Sequence, residues 1–566
     1  MPRIKRIADK LKSYICANRL LFICLWITSA WSVIDVPFSA LYGFPTAFSI
    51  AYVVSVGAFK AVLLCSICML VSRSHVIVKV LWRVMLFLYV ALSLTNCLSF
   101  VLYGFGISRR LFIIIAQTNP IELREFMPDL ADNIMAMCRN VGLWIAVALA
   151  AGALAVTVRH TKAKTFITLA GVMSTIGAVA LAWLMLTFKY GRLSNFMCLR
   201  APQYLNETLQ TKRAYDMLAD RLLPFPDPDL VESERLPVNI VMVIGESASR
   251  NHHSLYGYEL PTTPRLDSIR EQLTIFTDAI GSSCGTVGNM ERILTFKDDD
   301  LTCNDWYKFP GIIDLFKNAG YKTYYLSNQE KMGLTCDAFG AMAATADVVT
   351  YAGVLVREDA LSYKHDDVLL PEIRKALNDS TAGYRFIIAH LLGSHTQYSM
   401  RFPETFAKFS AADELAFRNH HPWLNKAKAQ KIADYDNSIA FTDSILRNLI
   451  DSIGAIEAPT VFLYFSDHGE HVYDTKDFIG REAKYVEIPL FFYLNKAYRN
   501  LYPDMCRRLN EARNLPVSSA NIIYPLMTVS GTSYPRYNDE NDFLSPRFKV
   551  RRRNVDEQPW AYDHCQ

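Results

Sequence analysis

The residues best suited to chemistry are an aspartate and a histidine that follow a strand-forming run. Residues 460–463 read TVFL, and the next seven residues, YFSDHGE, contain Asp467 and His468. An apolar strand that ends in this way places a carboxylate oxygen and an imidazole nitrogen at the carboxyl end of a sheet, where α/β proteins have their sites. These two ligand types suit zinc.

A second strand of the same kind ends in another acidic residue. Residues 238–244 read VNIVMVI, and Glu246 follows them after a single glycine. Parallel strands bring their carboxyl ends to one edge of a sheet, so the two units can contribute to one site. Two apolar strands that end in potential ligands favour a metal site in this part of the chain.

A loop of small residues supplies a hydroxyl group. Residues 281–289 read GSSCGTVGN and precede the helix-like residues 290–296; Thr286 is the threonine of this loop. A hydroxyl at a helix N-terminus lies among backbone N–H groups, which favour a phosphorylated or anionic side chain. A plain N-capping role is the alternative, since serine and threonine are common caps. The residues alone leave both interpretations open.

These elements follow a long apolar region that predicts a membrane domain. A membrane helix needs roughly 20 apolar residues. Five segments are long enough: residues 20–42, 47–71, 76–102, 141–158 and 165–188. Their length and repetition exclude the buried helices of a soluble protein. We expect a five-helix transmembrane domain over residues 1–188.

The distribution of lysine and arginine predicts the orientation of these helices. The N-terminus carries five basic residues before position 13, and the fourth connection, residues 159–164, is also basic. The first connection has no lysine or arginine, whereas the third, predicted to be external, carries Arg109, Arg110 and Arg124 and is an exception. Because basic connections stay in the cytoplasm, the chain after residue 189 is expected outside.

The rest of the chain predicts a linker and one α/β domain. Residues 189–236 contain a helix-prone charged stretch followed by three prolines, which indicates an interfacial helix and a linker. Over residues 237–566, strand-like runs at 321–326, 384–391, 460–465 and 488–493 alternate with helical ones at 311–319, 369–377 and 440–453. This alternation is typical of an α/β/α sandwich with a largely parallel sheet.

Charge and cysteine content add two further limits. The net charge of +4 gives no reason to expect a nucleic-acid partner. The basic tail at residues 547–553 is either solvated or in contact with anionic lipid. Six of the twelve cysteines would lie outside the membrane, where disulfides are allowed. Their pairing does not follow from the sequence alone.

Taken in order, six motifs resemble those of the phosphoethanolamine transferases, enzymes of the alkaline phosphatase and sulfatase superfamily that modify lipopolysaccharide in Gram-negative bacteria. The motifs are GESASR at 245–250, YGY at 256–258 with TP at 263–264, SCGT at 283–286, GSH at 393–395, YDN at 435–437 and SDHGE at 466–470. The resemblance covers essentially the whole chain, including the five membrane helices.

The resemblance implies roles for the residues of the predicted metal site. Thr286 would be the nucleophile that becomes modified with phosphoethanolamine. One zinc ion would be held by Glu246, Thr286, Asp467 and His468. Zinc would lower the pKa of the alcohol and neutralise charge on the phosphoryl group.

Further residues are implied to bind substrate. His395 lies where the family has a histidine that contacts the phosphoryl group or a second zinc. His390 also has a family counterpart, although a histidine at a strand end is the plainer interpretation. Between the third and fourth membrane segments, Thr118, Asn119 and Glu122 resemble the donor-lipid loop of the family. Residues 118 and 122 share a face of a helical turn, but a surface capping turn has the same pattern.

Two departures from the family pattern concern metal and disulfides. Many members have a histidine about a dozen residues after the Asp-His pair, where this chain has Arg481. Arginine can bind phosphate but is a poor zinc ligand, so one zinc site is expected and a second stays uncertain. The several disulfides of the polymyxin-resistance enzymes are not all present, and Cys284 with Cys303 is the pair we predict.

The resemblance therefore implies an enzyme of the bacterial inner membrane with a periplasmic catalytic domain. It would transfer phosphoethanolamine from phosphatidylethanolamine to lipid A or a core sugar of lipopolysaccharide. A sulfatase or phosphodiesterase on the same fold is one alternative. Residues 284–288, CGTVG, lack the Pro and the Arg that the main sulfatase class has directly after its cysteine or serine. A phosphoglycerol transferase and a non-catalytic membrane sensor or assembly protein are the others. The sequence does not identify the acceptor.

Overall fold

The computed structural model describes residues in two compact units, which divide near residue 211. The described residues are 2–32, 46–72, 74–103, 107, 202, 205–206, 209, 236–296, 310–329, 338–357, 360–418, 424–472, 483–534, 537–555 and 562–564. The predicted boundaries at residues 188 and 236 fall in or beside parts of the chain outside these ranges, and they stay predictions.

The described part of the N-terminal unit is helical, with a charged first helix followed by three apolar ones. They are α1 (Pro2–Ala17), α2 (Arg19–Trp31), α3 (Thr46–Val71) and α4 (Val76–Tyr103). Within α4, residues Val76–Cys97 are long and apolar enough to cross a membrane, and only 6% of their most apolar window is buried. An apolar helix with so little burial is not the core helix of a soluble domain. It is suited to lipid contact.

The count of five membrane helices is not confirmed. Helices α3 and α4 coincide with the predicted segments at 47–71 and 76–102. Among the described residues, one helix passes the length and composition test alone. A second is added if α1 and α2, bent by 94° at their junction, form one broken span. The predicted fourth and fifth segments lie outside the described residues.

The C-terminal unit is built on a seven-stranded sheet in the order β2-β10-β9-β1-β8-β4-β5. Its strands are β1 (Asn239–Gly245), β2 (Leu273–Ile275), β4 (Lys322–Ser327), β5 (Val348–Tyr351), β8 (Arg385–His390), β9 (Thr460–Ser466) and β10 (Leu490–Leu494). Two further pairs lie outside it, formed by β3 (Ala279–Ile280) with β11 (Val517–Ser518) and by β6 (Val354–Arg357) with β7 (Ala360–Tyr363).

The pairing is parallel across the centre of the sheet. Strand β1 pairs in parallel with β8 on one side and β9 on the other, and β4 pairs in parallel with β8 and β5. Only β10 runs antiparallel, against β9 and β2. All seven residues of β1 and of β9 are buried, as expected for strands covered on both faces. The predicted largely parallel sheet is confirmed.

Helices cover both faces of this sheet. They are α5 (Pro264–Asp267), α6 (Thr286–Ile293), α7 (Ile312–Asn318), α8 (Ala338–Ala343), α9 (Leu369–Leu377), α10 (Ala411–Phe417), α11 (Lys426–Gly454), α12 (Lys496–Leu501), α13 (Pro503–Ala512) and α14 (Ile523–Ser530). Short 3₁₀ turns lie at Arg250–His252, Ser254–Tyr256, Arg270–Gln272, Asp366–Val368, Tyr398–Met400, Glu404–Phe406, Ala483–Tyr485, Ser519–Asn521 and Tyr562–His564.

Alternate residues of β1 face two separate cores. Ile240, Met242 and Ile244 pack into a core with α6, α7, α13 and α14. Val241 and Val243 pack into the opposite core with α9 and α11. Because side chains alternate along a strand, a continuous apolar run such as β1 can supply both cores. The result is the predicted three-layer α/β/α sandwich.

Two helices differ from their predicted bounds. Helix α6 begins at Thr286 rather than at residue 290, because residues 286–289, predicted to belong to the loop, form its first turn. Helix α11 begins at Lys426, well before the predicted residue 440, and Asn425 caps it by accepting a hydrogen bond from the Lys428 N–H. Polar residues in its first half hide the helical period.

The basic C-terminal segment is bound to the folded unit. The Arg553 guanidinium donates to both carboxylate oxygens of Asp278 at 2.9 and 3.0 Å and to Asp563 at 2.7 Å. Arg547 pairs with Asp539, and Lys549 and Arg551 pair with Glu540. Most positive charges of this segment are therefore paired with carboxylates of the protein, and its contact with lipid stays a prediction.

A tyrosine near the end of the chain joins this arrangement. The Tyr562 ring is fully buried and lies under the Arg553 guanidinium, 4.8 Å from ring centroid to Cζ. Its hydroxyl donates to Glu487 at 2.6 Å and accepts from Arg250 at 3.2 Å. We call residues 553 and 562–564 with these partners the C-terminal clasp.

Candidate metal centre and nucleophile

Two neighbouring strands place the acidic residues of the site side by side. Strands β1 and β9 are parallel, and their register pairs Gly245 with Ser466. Glu246 and Asp467 are the next residues of each strand, and the Asp467 N–H donates to the Gly245 carbonyl at 3.0 Å. The predicted meeting of the two strand ends is therefore observed.

Glu246, Asp467 and His468 form a group that can hold a metal ion. One ligand atom from each lies within 4.8 Å of the others, and all three side chains are buried. His468 Nε2 is 3.5 Å from Glu246 Oε1 and 3.5 Å from Asp467 Oδ2. These distances exceed a normal hydrogen bond, so the three groups face one another without closing the space between them.

The surroundings of Asp467 and His468 orient both side chains and leave Asp467 Oδ2 without a hydrogen-bond partner. Asp467 Oδ1 accepts hydrogen bonds from the N–H groups of Ser247 at 3.0 Å and His468 at 2.7 Å, while Oδ2 is buried without a hydrogen-bond partner. His468 Nδ1 lies 2.7 Å from the Gly469 carbonyl oxygen, which can only accept. Nδ1 therefore carries the hydrogen, and a neutral ring offers Nε2 as a ligand. The donor set fits zinc.

The electrostatics of this group are those of a site that needs a cation. Burial and the charge of Glu246 raise the pKa of Asp467 to about 7. Burial opposes charge on Glu246 as well, yet interaction with His468 lowers the Glu246 pKa to about 2. Burial would also lower the His468 pKa, but Asp467 and Glu246 raise it to about 10. The two buried carboxylates therefore favour positive charge beside them.

Backbone strain lies next to Glu246. Ser247 has a φ of +56°, a left-handed conformation that non-glycine residues rarely adopt. Its hydroxyl donates to Glu246 Oε1 at 2.8 Å. Strain of this kind persists only where the surroundings impose it, and it is concentrated at functional sites. The turn orients the Glu246 carboxylate toward the other two ligands.

Thr286 brings a hydroxyl to the same group. It is the first residue of α6, after the N-cap Gly285. Its Oγ1 lies 3.1 and 3.3 Å from the two carboxylate oxygens of Glu246 and 3.4 Å from His468 Nε2. The free N–H groups and the dipole of the first turn favour negative charge at this position. The structure thus brings together all four residues predicted to bind zinc.

A tightly held loop carries His395 beside Glu246. Both oxygens of the buried Asp366 carboxylate accept loop N–H groups, from residues 392 and 393 at 2.8 Å each. The Ser394 N–H donates to the Glu246 carbonyl at 2.9 Å. Gly393 has a φ of +53°, and a Cβ there would lie 2.8 Å from the Glu246 nitrogen. Only glycine permits this approach.

The two predicted histidines of this region differ in surroundings. His395 Nδ1 is buried without a hydrogen-bond partner. His390 ends β8 and is fully buried, and its Nδ1 is hydrogen-bonded to the Tyr325 hydroxyl at 3.2 Å. Burial lowers the pKa of each histidine to about 4. Both rings are therefore neutral near pH 7, and their roles toward substrate stay predictions.

Several predicted residues lie outside the described part of the chain. These are Thr118, Asn119 and Glu122 of the donor loop, Arg481, and Cys303 of the predicted disulfide. Within the described residues, one group of three metal-ligating side chains is present, the one around Glu246.

Residues far from Glu246 in sequence support the site, and the sequence did not predict their roles. Gln329 Nε2 donates to Glu246 Oε2 at 3.4 Å and to the Leu391 carbonyl at 3.0 Å. The Tyr435 hydroxyl donates to the Ser247 carbonyl at 2.7 Å and accepts from the Ser249 N–H at 2.8 Å. Tyr435 was visible as part of the YDN motif, whereas no local signal marks Gln329.

Other motif residues form a second buried group, which we call the His252 cluster. It contains His252, Tyr258, Glu414, Arg418 and Asp436. His252 Nδ1 lies 2.6 Å from Asp436 Oδ1, the Tyr258 hydroxyl donates to Asp436 Oδ2 at 2.8 Å, and Arg418 pairs with Glu414 at 3.2 Å. The YGY and YDN motifs thus join α11 to the loop after β1.

Comparison with known proteins agrees with this geometry. Residues 238–532, just over half of the chain, match the sulfatase family. The chain belongs to the sulfatase family. The matched region begins with β1 and includes Glu246, Thr286 and the Asp467–His468 pair.

Several related proteins are named phosphoethanolamine transferases. The chain is 31% identical over 335 residues to phosphoethanolamine transferase EptC of Escherichia coli K12, covering 57% of this chain and 56% of that protein. The chain therefore matches little more than half the length of this curated relative.

Two solved structures are similar. The zinc complex of the C-terminal periplasmic domain of EptC from Escherichia coli matches with a TM-score of 0.52 and 28% identity, over 58% of this chain and 96% of that one. The integral membrane protein lipooligosaccharide phosphoethanolamine transferase A (EptA) from Neisseria meningitidis matches with a TM-score of 0.61 and 19% identity, over 93% and 98%. The second match shows a shared fold that extends into the N-terminal unit.

Proposed function

We propose that this protein transfers phosphoethanolamine from phosphatidylethanolamine to a lipopolysaccharide acceptor, either lipid A or a core sugar, through a covalent intermediate on Thr286. The contact between the Thr286 hydroxyl and the buried group of Glu246, Asp467 and His468 carries the proposal. A hydroxyl needs such an environment to become a nucleophile. The names of the relatives support the choice of phosphoethanolamine.

The metal ligands in this proposal are Glu246, Asp467 and His468, with Thr286 completing the set. The unpartnered Asp467 Oδ2 and the orientation of His468 by the Gly469 carbonyl support it. The similarity to a protein solved in complex with zinc supports zinc as the metal. When bound, zinc would lower the pKa of the hydroxyl and offset charge on the phosphoryl group.

The residues of the chain divide the reaction into two displacements. In the first, the Thr286 hydroxyl loses its proton as Oγ1 forms a bond to the phosphorus of phosphatidylethanolamine, and the bond from phosphorus to the glycerol oxygen breaks. The glycerol oxygen takes a proton and leaves as diacylglycerol. In the second, an acceptor oxygen attacks the same phosphorus and loses its proton, the bond from phosphorus to Thr286 Oγ1 breaks, and Oγ1 takes a proton. We assign to His395 the stabilisation of charge or the movement of these protons.

The substrates support a placement of the site outside the cytoplasm. The relatives include a protein whose C-terminal domain is named periplasmic and one named as an integral membrane protein. We propose that the N-terminal unit is embedded in the bacterial inner membrane and that the catalytic unit faces the periplasm. Thr118, Asn119, Glu122 and Arg481 are proposed to contact the donor lipid or phosphate.

Mass spectrometry of the full-length protein tests the proposal. Incubation in detergent with phosphatidylethanolamine alone should give a peptide containing Thr286 that is heavier by one phosphoethanolamine, with release of diacylglycerol. Thr286→Ala should abolish both signals, and Thr286→Ser should retain part of them because it keeps a hydroxyl. Thr295→Ala removes another buried hydroxyl just after the same helix and should leave both signals intact.

Two results would contradict the proposal. Diacylglycerol release by Thr286→Ala at the normal rate would replace the covalent scheme by direct transfer or hydrolysis. Lipopolysaccharide of unchanged mass in cells that lack the protein, compared with cells that contain it, would exclude lipopolysaccharide as the acceptor.

A further inference from the structure

The nucleophile and the metal ligands are held by different means. Glu246 and Asp467 directly follow two hydrogen-bonded strands at the centre of the sheet, so the sheet fixes their separation. Thr286 begins α6, which is reached from β3 through residues 281–285 and has no strand hydrogen bonds of its own. Another interaction must set the position of the Thr286 hydroxyl relative to Glu246.

Asn289 provides such an interaction from within the same helix. Its side chain is fully buried, and its Oδ1 accepts from the Ser282 hydroxyl and from the Ser283 N–H, both at 3.0 Å. Its Nδ2 donates to the carbonyls of Ser283 at 2.6 Å and Gly285 at 3.1 Å. One carboxamide thus binds the loop before the nucleophile with both of its polar ends.

The position of Asn289 allows these hydrogen bonds to fix the position of Thr286. Residues three apart on a helix lie one turn apart on the same side. Asn289 lies three residues after Thr286, and the loop that it binds directly precedes Thr286. The loop also packs closely against the helix, since a Cβ on Gly288 would lie 2.6 Å from the Ser283 hydroxyl oxygen. Rotation or translation of the first turn of α6 would break the bonds of Asn289.

We propose that Asn289 is a positioning residue that holds the Thr286 hydroxyl in line with Glu246 and with the phosphorus to be attacked. It acts through the loop and the helix, and it does not contact the substrate. This inference rests on the proposed function, because it takes Thr286 as the nucleophile. Its expected effect is kinetic, since displacement of a reacting group by about 1 Å can cost about 100-fold in rate.

Asn495 is a matched control elsewhere in the same unit. It is equally buried, and its Oδ1 accepts from the N–H groups of Thr460 and Tyr498, both at 3.0 Å. Its Nδ2 donates to the carbonyls of Ile456 at 3.0 Å and Ala458 at 2.9 Å. Asn495 therefore makes the same number of strong bonds, but at the amino end of β9, the end opposite Asp467.

The experiment compares Asn289→Ala and Asn495→Ala in the full-length protein. Both variants should lose thermal stability, because each leaves buried backbone groups without partners. Only Asn289→Ala should slow formation of phosphoethanolamine on Thr286, by about 100-fold. That loss should lie in kcat, with zinc content and KM for phosphatidylethanolamine unchanged. Asn495→Ala should keep the wild-type rate at temperatures where it is folded.

A milder variant covers the case in which Asn289→Ala does not fold. Ser282→Ala removes one hydrogen bond onto Asn289 Oδ1 and leaves the carboxamide in place. A smaller loss of kcat, roughly 5-fold, is expected from the net free energy of one hydrogen bond. A wild-type rate in Ser282→Ala together with an unfolded Asn289→Ala would assign Asn289 a structural role only.

The outcomes separate this inference from the function on which it rests. If the wild type modifies Thr286 and Asn289→Ala does so at the rate of Asn495→Ala, the positioning role is wrong and the proposed function stands. If the wild type never modifies Thr286, both fall. Equal loss of zinc and rate in Asn289→Ala would also overturn the inference, because the effect would then run through the metal.

Discussion

The group of Glu246, Asp467 and His468 and the His252 cluster both contain buried histidine and carboxylate side chains. They differ in whether the carboxylate oxygens already have hydrogen-bond partners. Around Glu246, the His468 Nε2 lies 3.5 Å from each of two carboxylates, and Asp467 Oδ2 has no hydrogen-bond partner. In the His252 cluster both oxygens of Asp436 are engaged, at 2.6 and 2.8 Å. The first group leaves lone pairs for an ion, and the second uses the Asp436 oxygens within the protein.

The difference shows what separates a site from a structural contact. Burial of histidine and carboxylate side chains occurs in both groups, so burial and residue type do not decide function. Buried polar atoms require partners, and the identity of those partners is the decisive observation. We expect substitutions in the Glu246 group to lower metal binding more than stability. Substitutions in the His252 cluster should lower stability more than metal binding.

The largest effect is expected from Asp467→Asn. The amide keeps the acceptor for the Ser247 and His468 N–H groups but removes the carboxylate ligand. Zinc content should fall to background, and transfer should fall by roughly 1000-fold, the upper end for loss of one electrostatic stabiliser. In zinc-free protein, stability should stay equal or rise, because the like charge beside Glu246 is gone. Metal analysis and calorimetry measure the two effects.

Retention of zinc by purified Asp467→Asn would remove the distinction between the two groups. Asp434→Asn is a suitable control, because Asp434 is an acidic residue of α11 that accepts a hydrogen bond from Gln430 and lies outside both groups. It should change neither zinc content nor transfer.

The next largest effect is expected from Asp436→Ala, and it should appear in stability. The substitution leaves His252 and the Tyr258 hydroxyl without their acceptor inside the protein. Breaking a buried pair of this kind costs about 3–5 kcal/mol in the free energy of unfolding. Zinc content should match that of the wild type. Denaturant unfolding with metal analysis provides the measurement, and loss of zinc at unchanged stability would reverse our assignment.

The smallest effect concerns pH and Glu414. Burial and the charge of Asp436 raise the Glu414 pKa to about 7. The folded protein therefore binds a proton that the unfolded chain releases at lower pH, and this contribution to stability is lost as pH rises through about 7. Melting temperatures measured from pH 5 to 8 should fall less steeply in Glu414→Gln than in the wild type. Equal slopes would show that Glu414 is charged in the folded state.

The sequence predicted that Glu246, Asp467 and His468 lie together because strands leave a local signal. Runs such as residues 238–244 are apolar at every position, which indicates a strand buried on both faces, and the residues after such strands meet at one edge. The register of β1 with β9 then placed Glu246 beside Asp467. Apolar length likewise predicted α3 and α4 within about one residue at their ends.

The supporting residues were not predictable because their contacts join distant parts of the chain. Asp436 meets His252 across 184 residues, and Gln329 meets Glu246 across 83. No spacing rule reports such contacts. Asn289 is close to its partners in sequence, yet the small residues around it hide the start of α6, so its place in the first turn was not visible.

The C-terminal clasp has a practical consequence for protein production. Arg553 neutralises Asp278, and the Tyr562 hydroxyl is hydrogen-bonded to Glu487 and Arg250. Arg250 lies four residues after Glu246. A shortened protein that ends before residue 553 would lack both side chains. Asp278 and Glu487 would then lose these partners, and Arg250 would lose its hydrogen bond to the Tyr562 hydroxyl. An affinity tag is therefore better placed at the N-terminal side of the catalytic unit, and limited proteolysis at the C-terminus should be monitored before any preparation is judged inactive.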